Sequence, residues 1–276
     1  MDGRPERVTD APGAVSTGVV SGAVGTGAVA TPAVDSTGST PSVARQRWRL
    51  VLARSASADA RSGRELTEAW ESAIEASGLP LHRAPGRPKA RIHFGAPVPA
   101  VMALDHELAD VVLTELVPRW RARELLEAVV PVGWRLIDLY DVWPGEPPLP
   151  GQIAAADYRI DVDGVDAAEL RTAASRLLAV RSLPRVRFKG SETVRYDLRP
   201  LLADVTVLAD GPPSVIRVRT RFDPTLGTGR PEEVVAALGD ASRSALEIKN
   251  VVRERILTAA DLDAVLLPAG LDDCVH

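Results

Sequence analysis

A repeated order of strand and helix patterns constrains the fold of this chain more than any other feature. Side chains repeat about every 2 residues along a strand and about every 3.6 along a helix, so a change of period marks each element. The first such series, with two helices among four strands, covers residues 48–53, 65–78, 91–96, 107–114, 121–130 and 134–142. This order is that of a ferredoxin-like βαββαβ unit, whose helices cover one face of a four-stranded antiparallel sheet.

A stretch rich in proline and glycine, residues 144–150, follows this unit and predicts a hinge. The strand and helix patterns then begin again, at residues 158–162, 166–179, 185–188, 193–198, 204–208, 215–222 and 231–238. Asp166 is a typical N-cap, and Pro231 with Gly239 is typical of the two ends of a helix. Residues 245–257 fit either a strand or a helix, and the sequence leaves both interpretations open.

The sequence therefore predicts an α+β fold of two tandem ferredoxin-like units with antiparallel sheets. The first unit covers residues 46–143 and the second covers residues 156–260, with residues 144–155 as the hinge. Residues 1–45 contain almost no large side chain, so ordering them would cost more conformational entropy than burial returns. We expect a disordered N-terminal tail there, and a C-terminal tail at residues 261–276.

The composition is that of an ordinary globular protein, with 45% hydrophobic residues, 25% charged residues and a net charge of −4. Cys274 is the single cysteine, which excludes a disulfide within the chain, a cysteine-based zinc site and a three-cysteine iron–sulfur motif. No run reaches the roughly 18 apolar residues of a membrane helix. We expect a cytoplasmic protein with no cofactor, no metal site and no membrane contact.

Alternating cations on the strands of the second unit form the clearest candidate site. Because neighbouring side chains of a strand point to opposite faces, Arg185, Arg187 and Lys189 share one face, while Val186 and Phe188 point to the core. If the basic strands share a sheet, their cations form a surface able to hold phosphate or carboxylate groups. The candidate residues are Arg185, Arg187, Lys189, Arg195, Arg199, Arg217, Arg219, Arg221 and Arg230.

The alternative for these cations is a solvated scaffold, in which aspartates of neighbouring strands neutralise them. In both cases we expect exposed side chains, so that replacing Arg187 and Arg219 with glutamine leaves the melting temperature nearly unchanged. No aromatic side chain interleaves with the cations, so RNA would be bound through its phosphates, without base stacking. His93 shares a strand face with Arg91, although a satisfied or exposed histidine is the more common case.

Several short motifs resemble those of a known family. Ala-Arg-Ile-His-Phe-Gly-Ala-Pro-Val-Pro stands at residues 90–99, Ala-Asp-Tyr at 156–158, Tyr-Asp-Leu-Arg-Pro at 196–200 and Arg-Pro-Glu-Glu-Val at 230–234. These stretches resemble the radical SAM-linked protein family, an uncharacterised bacterial group whose members accompany radical S-adenosylmethionine enzymes or are fused to them. The matching motif positions are Arg91, Pro97, Pro99, Tyr158, Asp197, Arg199, Pro200 and Pro231.

The chain departs from this family at two polar motifs. The family usually carries Ser-His-x-Asp before the first helix and Tyr-Ser-x-Gly-Phe-x-Pro-His-Pro after it. This chain has Ser-Gly-Arg-Glu at residues 62–65 and His-Arg-Ala-Pro-Gly-Arg-Pro at residues 82–88. We therefore carry no catalytic residue over from the family.

The resemblance implies a partner enzyme and gives no reaction. The leading hypothesis is a non-catalytic companion of a radical S-adenosylmethionine enzyme, which binds that enzyme or presents its substrate. With one cysteine, the chain cannot be that enzyme itself. The alternative is an RNA-binding or RNA-modifying protein that uses the basic sheet face, a hypothesis that depends on fold-level analogy alone.

Overall fold

The computed structural model describes residues 43–56, 61–190 and 192–266, so most of the predicted N-terminal tail and Cys274 lie outside the described residues. The elements of the first half are β1 (Gln46–Arg54), α1 (Gly63–Ala76), β2 (Ile92–Phe94), β3 (Ala103–Leu113), α2 (Arg119–Glu127) and β4 (Trp134–Val142). Those of the second half are β5 (Ile153–Asp163), α3 (Ala167–Ala179), β6 (Pro184–Lys189), β7 (Glu192–Asp197), β8 (Leu202–Ala209), β9 (Ser214–Asp223), β10 (Gly227–Thr228), α4 (Pro231–Ser242), β11 (Glu247–Thr258) and α5 (Ala259–Leu266).

Nine of the described strands form one continuous sheet. Its order is β10-β9-β5-β11-β3-β1-β4, with β2 also paired to β3 and β8 also paired to β9. The pairing of β11 with β3 is parallel, and the other pairings within this sheet are antiparallel. β6 and β7 form a separate two-stranded sheet. The prediction of an α+β fold with mostly antiparallel strands is therefore confirmed.

Apart from β6 and β7, the strands assigned to the two units lie in this single sheet, so two tandem ferredoxin-like units with separate sheets are not confirmed. β11 joins the two halves, because it pairs with β5 along most of its length and with β3 at Val252 and Arg253. This segment includes most of residues 245–257, for which the sequence was compatible with either a strand or a helix. The structure forms a strand there, and α5 follows it at the start of the predicted C-terminal tail.

The core of the first half lies between the sheet and the helices α1 and α2. Leu66, Trp70 and Ile74 recur at helical spacing on α1 and are buried, as the sequence predicts. The ring of Trp70 meets that of Trp134 edge to face, with 5.6 Å between the ring centroids. Although aromatic residues make up only 4% of the chain, they therefore form the centre of this core.

The core of the second half lies beneath α3 and α4. Leu170 of α3 and Leu238 of α4 pack in one buried cluster with Ile160 of β5. Val51 and Leu108 of the first half belong to the same cluster, so the apolar core continues across the line between the predicted units. None of the helices in the described part of the chain is long and apolar enough to cross a membrane.

Candidate functional site

The arginines of β6 face α4 and not the solvent. Arg187 donates from Nε and Nη2 to the two carboxylate oxygens of Glu233 at 3.0 and 2.9 Å, and Arg185 Nη1 donates to Asp240 at 2.7 Å. The predicted inward direction of Val186 is wrong, because this side chain is 54% exposed. The cationic face of β6 turns inward because carboxylates of α4 pair with its arginines. The sequence pattern of β6 alone does not reveal this pairing.

The arginines of β9 alternate with buried residues, as predicted, and each of them is engaged by another group. Arg219 donates to both oxygens of the buried Asp157 carboxylate at 2.7 and 2.9 Å, and these hydrogen bonds raise the pKa of Arg219. Arg217 donates to Glu254 at 2.8 Å. Arg221 donates to two carbonyl oxygens of the segment that leads into β8. These contacts favour a scaffold role for the cations.

β6 and β9 belong to different sheets, so the condition for one extended cationic surface is not met. Arg195 is exposed on β7, and Arg230 is exposed at the N-cap of α4. Arg199 donates to carbonyl oxygens at the end of α3 and the start of β8. The side chains of Phe188 and Lys189 lie outside the described part of the structure. Anion binding by the exposed members stays a prediction.

Two of the family-like motifs meet at one cluster beneath the β6–β7 hairpin. Tyr196 donates its hydroxyl proton to Glu233, and the guanidinium carbon of Arg187 lies 4.6 Å from the centroid of the Tyr196 ring. Burial and the bond to Glu233 raise the pKa of Tyr196 to about 12. Burial opposes ionisation of Glu233, but the hydrogen bonds from Arg187 and Tyr196 outweigh it and lower the pKa. We call Arg187, Tyr196 and Glu233 the hairpin latch.

The neighbouring motif positions close the base of the same hairpin. The Asp197 carboxylate accepts hydrogen bonds from the backbone N–H groups of Leu183 and Arg199 at 2.7 and 2.9 Å. Burial opposes ionisation of Asp197, but these bonds lower its pKa. Pro200 lies in a 3-10 turn, and Pro231 begins α4 at N1, where proline's missing N–H costs nothing. These motif positions therefore have structural roles.

The motif residues of the first half lie over a buried charge cluster between the halves. Arg253 of β11 pairs with Glu107 of β3, and their side chains are only 4% and 0% exposed. Arg253 Nη1 donates to the carbonyl oxygen of Pro97 at 3.2 Å, and Arg54 Nη2 donates to that of Pro99 at 2.6 Å. Burial raises the pKa of Glu107, although Arg253 opposes this shift. We call Arg54, Glu107 and Arg253 the junction cluster.

Two further motif positions are Tyr158, which pairs with Arg253 across β5 and β11, and Arg91. Tyr158 is buried on β5, and desolvation raises its pKa, while the charge of Arg253 opposes that shift. Arg91 is exposed just before β2, where its Nε lies 4.0 Å from a Glu71 carboxylate oxygen. Tyr158 therefore belongs to the apolar core of the second half, and Arg91 lies beside α1.

The Ser-Gly-Arg-Glu stretch, which stands where the family has Ser-His-x-Asp, begins α1. The N–H and hydroxyl of Ser62 donate to Glu65 Oε2 at 2.7 and 2.8 Å, and Glu65 N donates back to Ser62 Oγ at 3.3 Å. This is a capping box. A Cβ on Gly63 would lie 2.4 Å from the carbonyl oxygen of Val98, so a larger residue does not fit there unless the motif loop moves.

A row of four polar side chains crosses the first half of the sheet. Tyr140 of β4 lies opposite Arg49 of β1, Arg49 lies opposite Asp110 of β3, and Asp110 lies opposite His93 of β2. Arg49 binds both oxygens of the buried Asp110 carboxylate at 2.8 and 3.0 Å. Burial lowers the pKa of His93 and raises that of Tyr140, so both ends of the row favour the neutral form. This row was not predicted from the sequence, although charged residues within apolar strands could have indicated a buried polar cluster.

The four histidines are scattered along the sequence. Among the residues that the structure describes, no three histidine, cysteine, aspartate or glutamate side chains come together as a ligand set. His82 follows the loop after α1 and His106 lies on β3, while His276 lies outside the described residues.

The free edge of β4, at one end of the sheet, is covered by arginines of α2. Arg119 Nε donates to the carbonyl oxygen of Leu139 at 3.0 Å, and Arg123 Nη2 donates to that of Ile137 at 3.3 Å. Arg119 also binds the Asp138 carboxylate, and this bond lowers the pKa of Asp138. Because these carbonyl groups are engaged, another strand cannot pair with β4 at this position.

Two exposed tryptophans lie on neighbouring segments, Trp120 on α2 and Trp143 directly after β4. Trp120 and Trp143 are 69% and 72% exposed, whereas the other three tryptophans of the chain are buried. Leu116, which precedes α2, is also exposed. Gln46 links the segment before α2 to the end of β4. Its Oε1 accepts a hydrogen bond from the backbone N–H of Val117 at 2.8 Å, and its Nε2 donates to the Asp141 carboxylate at 3.1 Å. We call Leu116, Trp120 and Trp143 the aromatic edge.

Comparison with solved structures finds low similarity. The chain matches an archaeal box H/ACA sRNP Nop10–Cbf5 complex at 10% identity and a TM-score of 0.38, and a Cbf5–Nop10–Gar1 complex at 8% identity and 0.45. Each match covers 76% of this chain but only 46% and 48% of the matched chains. An unknown protein from Galdieria sulphuraria matches at 14% identity and a TM-score of 0.22, covering 74% of this chain and 96% of that one. This chain thus spans about half the length of the first two structures.

No curated protein is significantly similar to this chain. A family model matches residues 47–251, which include β1, the motif strand β2, the junction cluster except Arg253, and the hairpin latch. The motif stretches at residues 90–99, 156–158, 196–200 and 230–234 lie within that range. The chain belongs to the family described as uncharacterised proteins conserved in bacteria (DUF2344).

Proposed function

We propose that this chain is a non-catalytic companion of a radical S-adenosylmethionine enzyme, and that it binds the enzyme through the aromatic edge. The partner comes from the motif resemblance. The observation that carries the binding mode is the exposure of Trp120 and Trp143 on neighbouring elements, in a chain whose other tryptophans are buried. A companion of such an enzyme acts in the cytoplasm.

Burying an exposed tryptophan side chain in an interface lowers the free energy, because its large apolar surface leaves water. A large aromatic side chain buries about 150 to 250 Å², and tryptophan is enriched among the residues that dominate binding energy at interfaces. Trp120 stands between Arg119 and Arg121, whose charges are paired with Asp138 and Glu124. Aromatic residues with paired charges around them match the usual arrangement of an apolar interface centre and a polar rim.

The covered edge of β4 determines the mode of binding. Since Arg119 and Arg123 engage the outward carbonyl groups of this strand, the partner contacts side chains and does not extend the sheet here. Tyr140 lies beside Arg49 on the opposite face of the sheet and is not part of this surface. An interface of this kind is sensitive to truncation of the two tryptophans and insensitive to distant surface changes.

The test is co-purification of the full chain with a radical S-adenosylmethionine enzyme from the same genome, followed by calorimetric titration. We expect the Trp120→Ala/Trp143→Ala double variant to lose at least about 100-fold in affinity, since each dominant aromatic contributes about 2 kcal/mol or more. The matched control is Leu226→Ala, an exposed apolar residue of the second half. Equal affinity of both variants would contradict the proposed surface.

RNA binding is the second candidate function, and the exposure of Arg217 and Arg221 favours it. Their guanidinium groups lie on one strand face with Arg159 of the paired strand β5 nearby. If RNA is bound there, replacing Arg217 and Arg221 with glutamine should lower the affinity for single-stranded RNA and reduce the salt slope by roughly 0.7 for each lost phosphate contact. Arg121→Gln, on helix α2 of the first half, is the matched control.

We also infer that each half is a ferredoxin-like unit within the shared sheet. In the first half, β3 pairs antiparallel with both β1 and β2, the strands that α1 connects, and β1 pairs with both β3 and β4, which α2 connects. In the second half, β9 stands between β5 and β8, and β5 stands between β9 and β11. This repeated interleaving of strands supports the inference, with the β6–β7 hairpin as an insertion.

A further inference from the structure

Two arginines of the junction cluster keep buried donors that bind nothing in the described part of the structure. Arg54 donates from Nη2 to the carbonyl oxygens of Pro99 and Met102 at 2.6 and 2.5 Å, whereas its Nε and Nη1 have no hydrogen-bond partner. The Nε of Arg253 is also buried without a partner. Leaving a buried charged donor without an acceptor is strongly unfavourable. These donors therefore favour a ligand rich in acceptor oxygens.

The same arginines outnumber the acid that lies between them. Among the described residues, the ion pairs of the cluster involve one carboxylate, that of Glu107, which binds Arg253. Desolvation lowers the pKa of Arg54, and the charge of Arg253 lowers it further. The cluster thus holds one positive charge in excess at a place that is almost closed to solvent. A buried charge of this kind is stabilised by an anion.

The motif loop, residues 97–102, covers these arginines with backbone carbonyl oxygens. The carbonyl of Pro97 accepts from Arg253 at 3.2 Å, in addition to the two carbonyls that accept from Arg54. A carbonyl oxygen satisfies a donor but does not neutralise a guanidinium. In the described part of the chain, no backbone N–H of this loop donates to another backbone group, and Val101 at its tip is 68% exposed. The loop is therefore held in place by few bonds of its own.

Helix α1 begins beside the same loop. A Cβ on Gly63 would lie 2.4 Å from the carbonyl oxygen of Val98, so the first turn of α1 contacts the loop. Ser62 and Glu65 cap each other, whereas the N–H groups of Gly63 and Arg64 have no acceptor within the helix. The N-terminus of a helix attracts anions. An outward turn of the loop would thus leave these N–H groups and the two guanidinium groups around one space.

We propose that the junction cluster binds a phosphate group when the motif loop turns outward. Oxygen atoms of the phosphate take the place of the loop carbonyls at Arg54 and Arg253, and they reach the N–H groups at the start of α1. The guanidinium fork matches the geometry of phosphate oxygens, and the charge of the phosphate neutralises the excess in the cluster. The motif loop acts as the lid of this site, which shares no residue with the aromatic edge.

The test is calorimetric titration of the full chain with inorganic phosphate, against chloride at the same ionic strength. We expect Arg54→Met to weaken phosphate binding at least about tenfold, because charge-assisted bonds are lost. Glu107→Gln should instead strengthen the binding several-fold, since it removes the acid that competes for Arg253. The matched control is Arg47→Met, which replaces another buried arginine that donates to loop carbonyls, such as that of Glu146, and should leave phosphate binding unchanged.

A fluorescent label on the loop tests the lid separately. Val101→Cys in a Cys274→Ser background carries a polarity-sensitive fluorophore at an exposed position of the motif loop. Phosphate should shift the emission of this label, with the same apparent Kd that calorimetry gives. The shift should disappear when Arg54→Met is added.

The outcomes decide the proposal even if Arg54→Met does not fold. Heats of titration that are the same for phosphate and chloride would overturn it. Unchanged or weaker phosphate binding by Glu107→Gln, in a variant that circular dichroism shows to be folded, would overturn it as well. Phosphate binding without any change in the emission of the label would show that the motif loop is not the lid.

Discussion

Glu107 of β3 and Arg253 of β11 form a buried ion pair where the two halves of the sheet meet. Glu107 has no exposed surface on its side chain, and only two residues pair β11 with β3. The ion pair therefore strengthens a short parallel junction. The carbonyl oxygen of Pro97 accepts a further bond from Arg253, which ties the family-like motif loop to the same place.

Removing one partner of this pair should destabilise the protein strongly. Arg253→Met leaves the buried Glu107 carboxylate without its partner, so we expect the free energy of unfolding to fall by about 3 to 5 kcal/mol. Arg217→Met is the control, because its partner Glu254 is partly exposed and such pairs contribute about 0 to 1 kcal/mol. Urea unfolding followed by tryptophan fluorescence measures both. Equal losses would mean that Arg253 does not stabilise the junction.

The hairpin latch should show strong coupling between its members. Because Arg187 and Tyr196 both bind Glu233, replacing them together should cost less than the sum of the two single replacements. We expect a coupling energy of about 1 kcal/mol between Arg187→Gln and Tyr196→Phe in a double-mutant cycle. Arg195→Gln, on the other face of the hairpin, should show no coupling to Tyr196→Phe. Additive losses in the free energy of unfolding would mean that Arg187 and Tyr196 do not act together on Glu233.

The latch should also weaken at high pH. The pKa of Tyr196 is raised to about 12 from its ordinary value of 10.0 because burial and the bond to Glu233 favour the neutral phenol. For an acid with a raised folded pKa, the stabilisation is complete below the unfolded pKa and is lost as the pH rises through the folded one. The stability difference between wild type and Tyr196→Phe should thus stay constant from about pH 8 to 10 and shrink from about pH 10 to 12. A difference that does not change over this range would argue against the bond.

Replacing Arg187 and Arg219 with glutamine should lower the melting temperature, contrary to the expectation from sequence. Both arginines bind carboxylates with two hydrogen bonds, and the Asp157 carboxylate is buried. We expect a loss of about 2 kcal/mol or more from the unpaired acids. Differential scanning calorimetry of the double variant, beside Arg195→Gln, provides the measurement. An unchanged melting temperature would restore the interpretation of these cations as solvated.

The local elements were largely predictable from the sequence because each has a local cause. The stripe of Leu66, Trp70 and Ile74 defines α1, and Pro231 marks the start of α4. The joining of the halves was not predictable, since β11 pairs with strands far away in the chain. Its pattern fitted two structures, and only long-range packing decides between them.

The candidate site was predictable only in part. Alternation correctly placed Arg185 and Arg187 on one face, but it could not say which face turns inward. The carboxylates of Glu233 and Asp240, which come from a helix far along the chain, determine that direction. The aromatic edge was missed because exposure depends on which elements pack nearby. The position of Trp120 between two arginines could have indicated that its side chain is exposed.

We propose that Trp120 and Trp143 form the contact surface for a radical S-adenosylmethionine enzyme. The most direct measurement is calorimetric titration of that enzyme with the wild-type chain, the Trp120→Ala/Trp143→Ala variant and the Leu226→Ala control. We expect the double variant to fold with an unchanged melting temperature and to lose at least about 100-fold in affinity for the enzyme, while the control binds as the wild-type chain does. Undiminished binding by the double variant, or no binding by the wild-type chain, would contradict this proposal.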